Sequence, residues 1–332
     1  MITNQSPLIG GGGTVTCTTT PSTACGGYTS ISATEVCTDI STLMDSVSGI
    51  KSSVETIRLN SSFVINYSLN GWITLGIQTG VNNTAPWSFS AYIKTTSRPD
   101  GTLNTPPIGT VLSLFQNRIT NVTIPVIDVN NDVVRCRWAI VNSVNNSYDE
   151  CGGACHAVYN STYLIPDSCS LIFDSTGIAA GTSFAIALQL EDFIDSSNTD
   201  AMSSIPVQFL VRVVTAPTNC HSTPTITANV SACVGVTVNI PFTFQITITA
   251  GCNATTIQDV RRSPPLSMFR SSLTQTTNNA NTTVWTFNEV WTPDATQIGA
   301  QVYCAVAIDS LSVTSPQYCN TFNVVAPGDE AL

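Results

Sequence analysis

Twelve cysteines, two histidines and a few closely spaced carboxylates are the side chains of this 332-residue sequence that could carry chemistry. The nearest approach to a metal-binding spacing is Cys151-Gly152-Gly153-Ala154-Cys155-His156. Zinc takes tight Cys-x2-Cys or Cys/His pairs, and further ligands here would have to come from distant parts of the chain. Disulfide bonding is therefore the expected use of Cys17, Cys25, Cys37, Cys136, Cys151, Cys155, Cys169, Cys220, Cys233, Cys252, Cys304 and Cys319. Such bonding points to an oxidising compartment. Asp128-Val129-Asn130-Asn131-Asp132 alternates acceptor side chains at a strand-to-strand turn. Asp128, Asn130 and Asp132 are candidate calcium ligands, and Glu191, Asp192 and Asp195 could supply further oxygens. The other reading, which is preferred, is a plain hairpin turn, because Asn and Asp favour turns on their own.

Catalysis finds no constellation in this sequence. His156 and His221 are its two histidines, and no G-x-S-x-G, H-E-x-x-H, P-loop or dinucleotide fingerprint occurs. The adjacent Glu191 and Asp192 would face opposite ways on a strand, which argues against an acid/base dyad. The chain is expected not to be an enzyme and to need no cofactor beyond the candidate calcium.

Composition narrows the class further. Hydrophobic residues at 42% exclude wholesale disorder, while charged residues at 10% fall far below the roughly 25% of ordinary soluble domains. Ser, Thr and Asn must supply the surface polarity. Lys51 and Lys94 are the two lysines, and the arginines form no basic patch on a chain of net charge -10. Nucleic acid is thereby disfavoured as a partner, and so is docking onto anionic lipid. No run of 18 apolar residues exists, so membrane insertion is not expected. Met1-Ile2-Thr3-Asn4-Gln5 lacks the basic start and apolar run of an export signal, as expected of a mature chain with its leader removed. Asn-x-Ser/Thr sequons stand at Asn4, Asn60, Asn66, Asn82, Asn121, Asn145, Asn160, Asn229, Asn253 and Asn281. N-linked glycans on several of them would solubilise a surface short of charge.

Those residues need elements to position them, and the elements read as strands. Residues 1–38 form an extended arm rich in Cys, Gly and Thr, with too few large apolar residues for a core of its own. Such an arm is either a floppy leader or a strand that borrows another core. Over 39–57 the apolar residues Ile40, Leu43, Met44, Val47, Ile50, Val54 and Ile57 recur at three- and four-residue spacing, which suggests a short linker helix. Its serines, β-branched residues and Gly49 make it a poor helix former. From residue 58 short strands alternate with turns: Phe63–Tyr67, Trp72–Leu75, Trp87–Ile93, Asn121–Ile127, Val133–Ile140, Ser170–Phe173, Phe184–Leu190 and Val207–Val214. Beyond a joint at Ala216–Asn219, strands around Val236–Ile248, Val284–Val290, Gln301–Ile308 and Phe322–Val325 complete a second sandwich. The expected organisation is an arm at 1–38, a linker at 39–57, a β-sandwich region at 58–215, an immunoglobulin-like sandwich at 216–326 and a polar tail at 327–332. The fold class is all-β, tandem immunoglobulin-like sandwiches stapled by disulfides.

Two stretches carry recognisable signatures. One runs Asp128-Val129-Asn130-Asn131-Asp132-Val133-Val134-Arg135-Cys136-Arg137-Trp138. It continues through Glu150-Cys151-Gly152-Gly153-Ala154-Cys155 and Ala187-Leu188-Gln189-Leu190-Glu191-Asp192-Phe193 to Ser203-Ser204-Ile205-Pro206-Val207. The other runs Trp291-Thr292-Pro293, then Gln297-Ile298-Gly299-Ala300-Gln301-Val302-Tyr303-Cys304, with Cys319 after it. They resemble the cysteine-bearing sandwich and immunoglobulin-like modules of large, uncharacterised secreted proteins of invertebrate animals. The resemblance implies an extracellular modular protein and no known activity. Tyr303-Cys304 after Gly299 suits the penultimate strand of an immunoglobulin-type sandwich. Cys304 would then bridge the sheets to Cys252, or alternatively to Cys233, and stabilise by about 4 kcal/mol in the chain-entropy model.

Cysteine parity adds one more expectation. The arm holds three cysteines, the middle region four and the last domain five. Full pairing requires one bond from the arm to the last domain, within a chain or between chains; the alternative is one free thiol in each. These features predict a secreted structural glycoprotein that polymerises with copies of itself head-to-tail, with insertion of its N-terminal strand into a neighbour's sheet as the candidate route. The competing reading is an adhesion or recognition ectodomain that binds glycan or protein through its loops, with Trp72 and Trp87 as candidate stacking platforms. Buried core tryptophans are the plainer account of both.

Overall fold

A computed structural model of the chain describes residues 8–9, 12–44, 46–69, 71–72, 74–76, 86–109, 111, 114–116, 119–143, 146–156, 162–215, 218, 222–252, 255–277 and 283–329. Among these the chain is all-β. Its helical segments are four short 3-10 turns, and no helix is long and apolar enough to cross a membrane. The fold divides into two compact units that trade segments along the sequence. One holds residues 1–9, 35–51 and 215–332; the other holds 10–34 and 52–214.

The C-terminal part of the first unit is a two-sheet sandwich. One sheet runs Thr225–Ala228, Phe242–Thr249, Thr283–Trp291, Met268–Arg270 in spatial order; the other runs Cys233–Thr237, Tyr318–Val325, Gly299–Asp309, Ile257–Ser263. All neighbours are antiparallel except Cys233–Thr237, which lies parallel to Tyr318–Val325. This is the order in which the A, B, E and D strands face G, F and C in an immunoglobulin sandwich. Alternation aims Phe244, Ile246, Phe287, Trp291, Tyr303 and Phe322 into the core. Phe244 packs edge-on against Tyr303 with ring centroids 5.5 Å apart.

That packing corrects one expectation. Cys304 follows the inward Tyr303 and so faces out of the sandwich, where register sets it directly opposite Cys319. The two are bonded, stapling adjacent strands of one sheet. The expected bridge from Cys304 to Cys252 does not form; the Phe244–Tyr303 contact links the two sheets instead.

A second correction concerns residues 39–57. No helix forms there. Glu35–Ser41 and Ser46–Ile50 make an antiparallel hairpin, extended by Leu8–Ile9 on the outer side of Glu35–Ser41. The β-branched Val36, Thr38, Ile40, Val47 and Ile50 favour extended backbone over helix. A bulge between Cys37 and Asp39 shifts the register, so that Cys37, Thr38 and Asp39 are all buried in succession. Ile40, Leu43 and Val47 of the apolar stripe are exposed.

The second unit is built on an eight-stranded sheet. Its path runs Val133–Trp138, Ser183–Phe193, Ser203–Val213, Trp87–Lys94, Ser62–Leu69, Thr14–Cys17, Ser30–Ser32, with Leu114–Gln116 parallel to Ser203–Val213. Ser183–Phe193 and Ser203–Val213 pair over ten residues and form its spine. A smaller sheet of Thr120–Thr123, Ser170–Phe173 and Thr162–Ile165 packs on it through Phe173 and Phe184, 5.6 Å apart. The Cys136–Cys169 disulfide ties the two sheets together. Thr14–Cys17 of the arm pairs with Asn66 and Ile65, and Cys25 and Tyr28 pack on Phe63. Thr14–Cys17 and Ser30–Ser32 of the arm thus add strands to this sheet, while residues 1–9 and 35–38 belong to the other unit. Trp72–Leu75, expected as a strand, has no regular structure at its described residues.

Candidate functional site

In the first unit, charged side chains gather where the hairpin meets the edge strand Ile257–Ser263. Arg262 points into the sandwich, sharing a face with its partner Ala305. Its Nη1 donates to both carboxylate oxygens of Glu289 at 2.8 Å, and its Nη2 donates to Asp39 Oδ1 at 2.8 Å. Asp39 Oδ2 also accepts the backbone N–H of Arg262 at 2.9 Å. An edge strand leaves such groups without a ladder partner, and the bulged hairpin supplies one. Beside this triad Ser41 Oγ donates to the Asp259 carboxylate and accepts from the Met44 N–H, closing the hairpin turn.

Burial decides the electrostatics of the group. It works against the Arg262 charge, but Glu289 and Asp39 hold the guanidinium above its ordinary value. Burial likewise pushes the Glu289 carboxyl up, with Arg262 pulling the other way. The hydroxyl of Tyr303, buried beside Glu289, is raised well above the usual phenol range by burial first and that carboxylate second. The cluster can fix the hairpin in place; it presents no exposed nucleophile or base.

The second unit holds two further arginine-centred groups. Arg137 on Val133–Trp138 grips both oxygens of buried Glu150 at 2.6 and 2.8 Å and reaches Glu191 at 2.8 Å. Asp128, Asp132 and Asp192 form the other, with carboxylate oxygens within 4.8 Å of one another. Arg98 holds both oxygens of Asp132. Asp192 accepts from Asn104 on one oxygen and from Ser203 N and Oγ on the other. Asp128 Oδ1 accepts the Asp132 N–H at 2.9 Å, as a turn requires, and Asn130 Oδ1 accepts Thr105 N. Asp128 Oδ2 alone is buried without a donor, and burial, with Asp132 and Asp192 nearby, raises the Asp128 carboxyl.

A cation at Asp128, Asn130 and Asp132 would compete with the Arg98 guanidinium for Asp132, while Asn130 and Asp192 already accept hydrogen bonds from Thr105, Asn104 and Ser203. Glu191 belongs to Arg137, and Asp195 caps its own turn at Ser197 and Asn198. The segment is a turn but not a hairpin turn, because Val126–Ile127 pairs with Ile108–Gly109 and Val133–Trp138 pairs with Ser183–Phe193.

The other sequence-predicted residues fall as follows. Cys17–Cys25, Cys136–Cys169, Cys151–Cys155 and Cys304–Cys319 are bonded, and Cys252 is also disulfide-bonded. Cys37 and Cys233, expected in bridges, are free: Cys37 is sealed under the hairpin, while Cys233 is exposed at the start of an edge strand. Asn60, Asn121 and Asn229 are exposed. Asn66 differs from these, since its Nδ2 atom lies within hydrogen-bond distance of Ser88 Oγ, Ser90 Oγ and the Phe89 carbonyl at 2.8–3.0 Å. Trp72 and Trp87 are half-buried and pack edge-to-face at 6.3 Å, with Tyr67 and Phe89 against Trp87. Asn4, Asn82, Asn145, Asn160, Asn253, Asn281, Cys220, His221 and the side chain of His156 lie outside the described residues.

No family model and no curated protein matches the chain, so the resemblance to invertebrate secreted modules has no match behind it. Solved structures offer distant likenesses. The sialic acid binding region of a Streptococcus sanguinis SK1 adhesin is 10% identical over 67% of this chain and 78% of its own, with a TM-score of 0.24. PcdhgB3 EC1-4 is 11% identical over 80% of this chain and 57% of its own, with a TM-score of 0.23. Rst D1-D2 is 10% identical over 67% of this chain and all of its own, again with a TM-score of 0.23. Scores this low carry no argument about function, and the assignment of the fold rests on the strand order above.

Proposed function

We propose that this chain is a secreted structural glycoprotein that assembles with copies of itself, and that it is not an enzyme. The observation that carries the reading is the divided N-terminal segment. Residues 12–34 add strands to one sandwich while the hairpin at 35–50 shields the edge of the other. A segment that completes cores built by distant sequence is the type of element that joins subunits when it is supplied by a neighbour. Disulfides in both sandwiches support an oxidising, extracellular setting. Buried Asp39, Glu150 and Glu289 are each held by an arginine, so they serve packing rather than proton transfer.

Two measurements test this. Alkylation under denaturing, non-reducing conditions, followed by mass analysis, is expected to find thiols at Cys37 and Cys233 and sugar on at least one of Asn60, Asn121 and Asn229. Fully reduced cysteines and bare asparagines overturn the secreted assignment. Negative-stain electron microscopy is expected to show filaments or a matrix, and isolated monomers throughout overturn self-assembly.

The second reading, a recognition ectodomain, draws on the half-buried Trp72 and Trp87, whose aromatic faces could stack on sugar. A glycan array separates the two, since a structural subunit gives no selective hits.

A further inference from the structure

We infer that the hairpin Glu35–Ile50 is an exchangeable clasp: the groove it fills along Ile257–Ser263 also takes the same hairpin from a second copy of this chain. This rests on the self-assembly reading and names its donor and its acceptor.

The occupant of the groove is known in kind, because the chain's own hairpin sits there. Recognition is by side chains and not by a shared ladder, since hairpin and sandwich form separate sheets. Asp39 takes both the backbone N–H and the guanidinium of Arg262, and Ser41 bonds Asp259. The bulge at Thr38 sets the aim of Asp39, so charge and shape together specify the fit. A second copy carries the same key.

The hairpin is supplied by chain that otherwise belongs elsewhere. Residues 10–34 before it and 52–214 after it form the other compact unit. Lys51–Thr56 has no regular structure and is exposed throughout, Val54 to 88%. A hairpin on such a tether closes on its own sandwich or on a neighbour's with identical contacts. Tether length and any newly buried surface then choose between the two. New surface is on offer: Ile40, Leu43 and Val47 on the hairpin's outer side are 45%, 44% and 48% exposed, apolar area that a second copy can cover.

The test places Ser41→Cys and Asp259→Cys in separate, differently tagged chains, each also carrying Cys233→Ser to remove the exposed thiol. Each is checked for parent-like circular dichroism, and the two are co-expressed in one secreting cell. Exchange yields a disulfide-linked heterodimer on a non-reducing denaturing gel, abolished by reductant and absent from either chain alone. Assembled particles without that heterodimer overturn the exchange and leave self-assembly standing. Neither particles nor heterodimer overturns both. The hairpin is tied at both ends, by Ala33–Thr34 before it and Lys51–Thr56 after it, so should a cysteine variant fail to fold, flexible Gly/Ser insertions after Thr34 and after Val54 together give a second readout. A longer tether eases closure on its own groove, so the oligomeric fraction by light scattering falls. An unchanged fraction overturns the exchange.

Discussion

Asp39 and Arg262 lie 223 residues apart in the chain and meet in a 2.8 Å ion pair whose side chains are 4% and 3% exposed. Glu289 completes the group from the opposite sheet. In a chain with few charges, three of the arginines, Arg98, Arg137 and Arg262, are used to neutralise carboxylates inside the sandwiches. The charges act as locators of particular segments.

Removing the shared cation should hurt most. Arg262→Met leaves Asp39 and Glu289 buried without a counter-charge, a loss of about 3–5 kcal/mol at neutral pH. Asp39→Ala leaves the Arg262–Glu289 pair intact and costs less, about 2 kcal/mol. Urea unfolding of the two variants checks the order; no loss for Asp39→Ala would show that the hairpin contact carries no electrostatic weight, and a loss as large as that of Arg262→Met would overturn the ranking.

The same group fixes a pH dependence. The Glu289 carboxyl is held above its ordinary value, so the folded chain binds that proton more tightly than the unfolded chain. Stability from the protonated form is full below the unfolded value and is lost as pH rises through the raised folded value. Without Arg262 the carboxyl rises further. The deficit of Arg262→Met should therefore shrink between about pH 7 and about pH 4. A deficit constant across that range contradicts the assignment.

Asp128 gives the opposite outcome, a stabilising substitution. Its Oδ2 is buried without a donor near Asp132 and Asp192, and its carboxyl is raised. Ionised Asp128 thus costs stability at neutral pH, and that cost vanishes as pH falls below the ordinary carboxylate value. Asp128→Asn keeps an oxygen for the Asp132 N–H and offers an amide donor to the neighbouring carboxylates. We expect a gain of about 1 kcal/mol at neutral pH and none below about pH 4. Thermal melts in the presence of a chelator read it, and a loss at neutral pH refutes it.

The disulfides should rank by the chain they enclose. Cys136–Cys169 spans 33 positions, Cys304–Cys319 spans 15 and Cys151–Cys155 spans 4. Loop-closure entropy gives about 4, about 3 and about 2 kcal/mol respectively. Paired Ser substitutions measured by urea midpoint test the order. Cys136–Cys169 also joins two sheets, so its loss should open the small sheet to hydrogen exchange first.

The strands were legible because their signal is local. Phe184, Ile186, Leu188 and Leu190 alternate within one segment, and Ser183–Phe193 forms around them. Tyr303-Cys304 marked a strand of the immunoglobulin sandwich, but the bond from Cys304 depends on register with Cys319, which spacing does not encode. The stripe at 39–57 misled for a related reason: its three- and four-residue spacing resembles a helix face, while the deciding contacts come from Arg262 and Asp259 far along the chain. The Asp39–Arg262–Glu289 group had no sequence signal at all. Each member is an isolated charge, and the nearest available hint was the scarcity of charge, which makes any Asp–Arg pairing more telling.

Asn66 separates a sequon from a glycan site, since Asn66-Tyr67-Ser68 satisfies the pattern. Its side chain, however, lies on the strand Ser62–Leu69 with Nδ2 donating to Ser88, Ser90 and Phe89, all on the neighbouring strand Trp87–Lys94. A sugar on that nitrogen would remove a donor and force a bulky group between paired strands. Modification at this residue is therefore expected to compete with the pairing of these strands. Glycopeptide mass spectrometry of secreted chain should find Asn66 bare while sugar appears at exposed Asn60, Asn121 or Asn229. Asn66→Ala should lower stability by about 1–3 kcal/mol, because Ser88 and Ser90 lose a buried partner. Asn229→Ala, which removes a single acceptor for the Gln245 N–H at an exposed bend, should cost less. Full occupancy at Asn66 would mean that the pairing of these two strands differs from the one described.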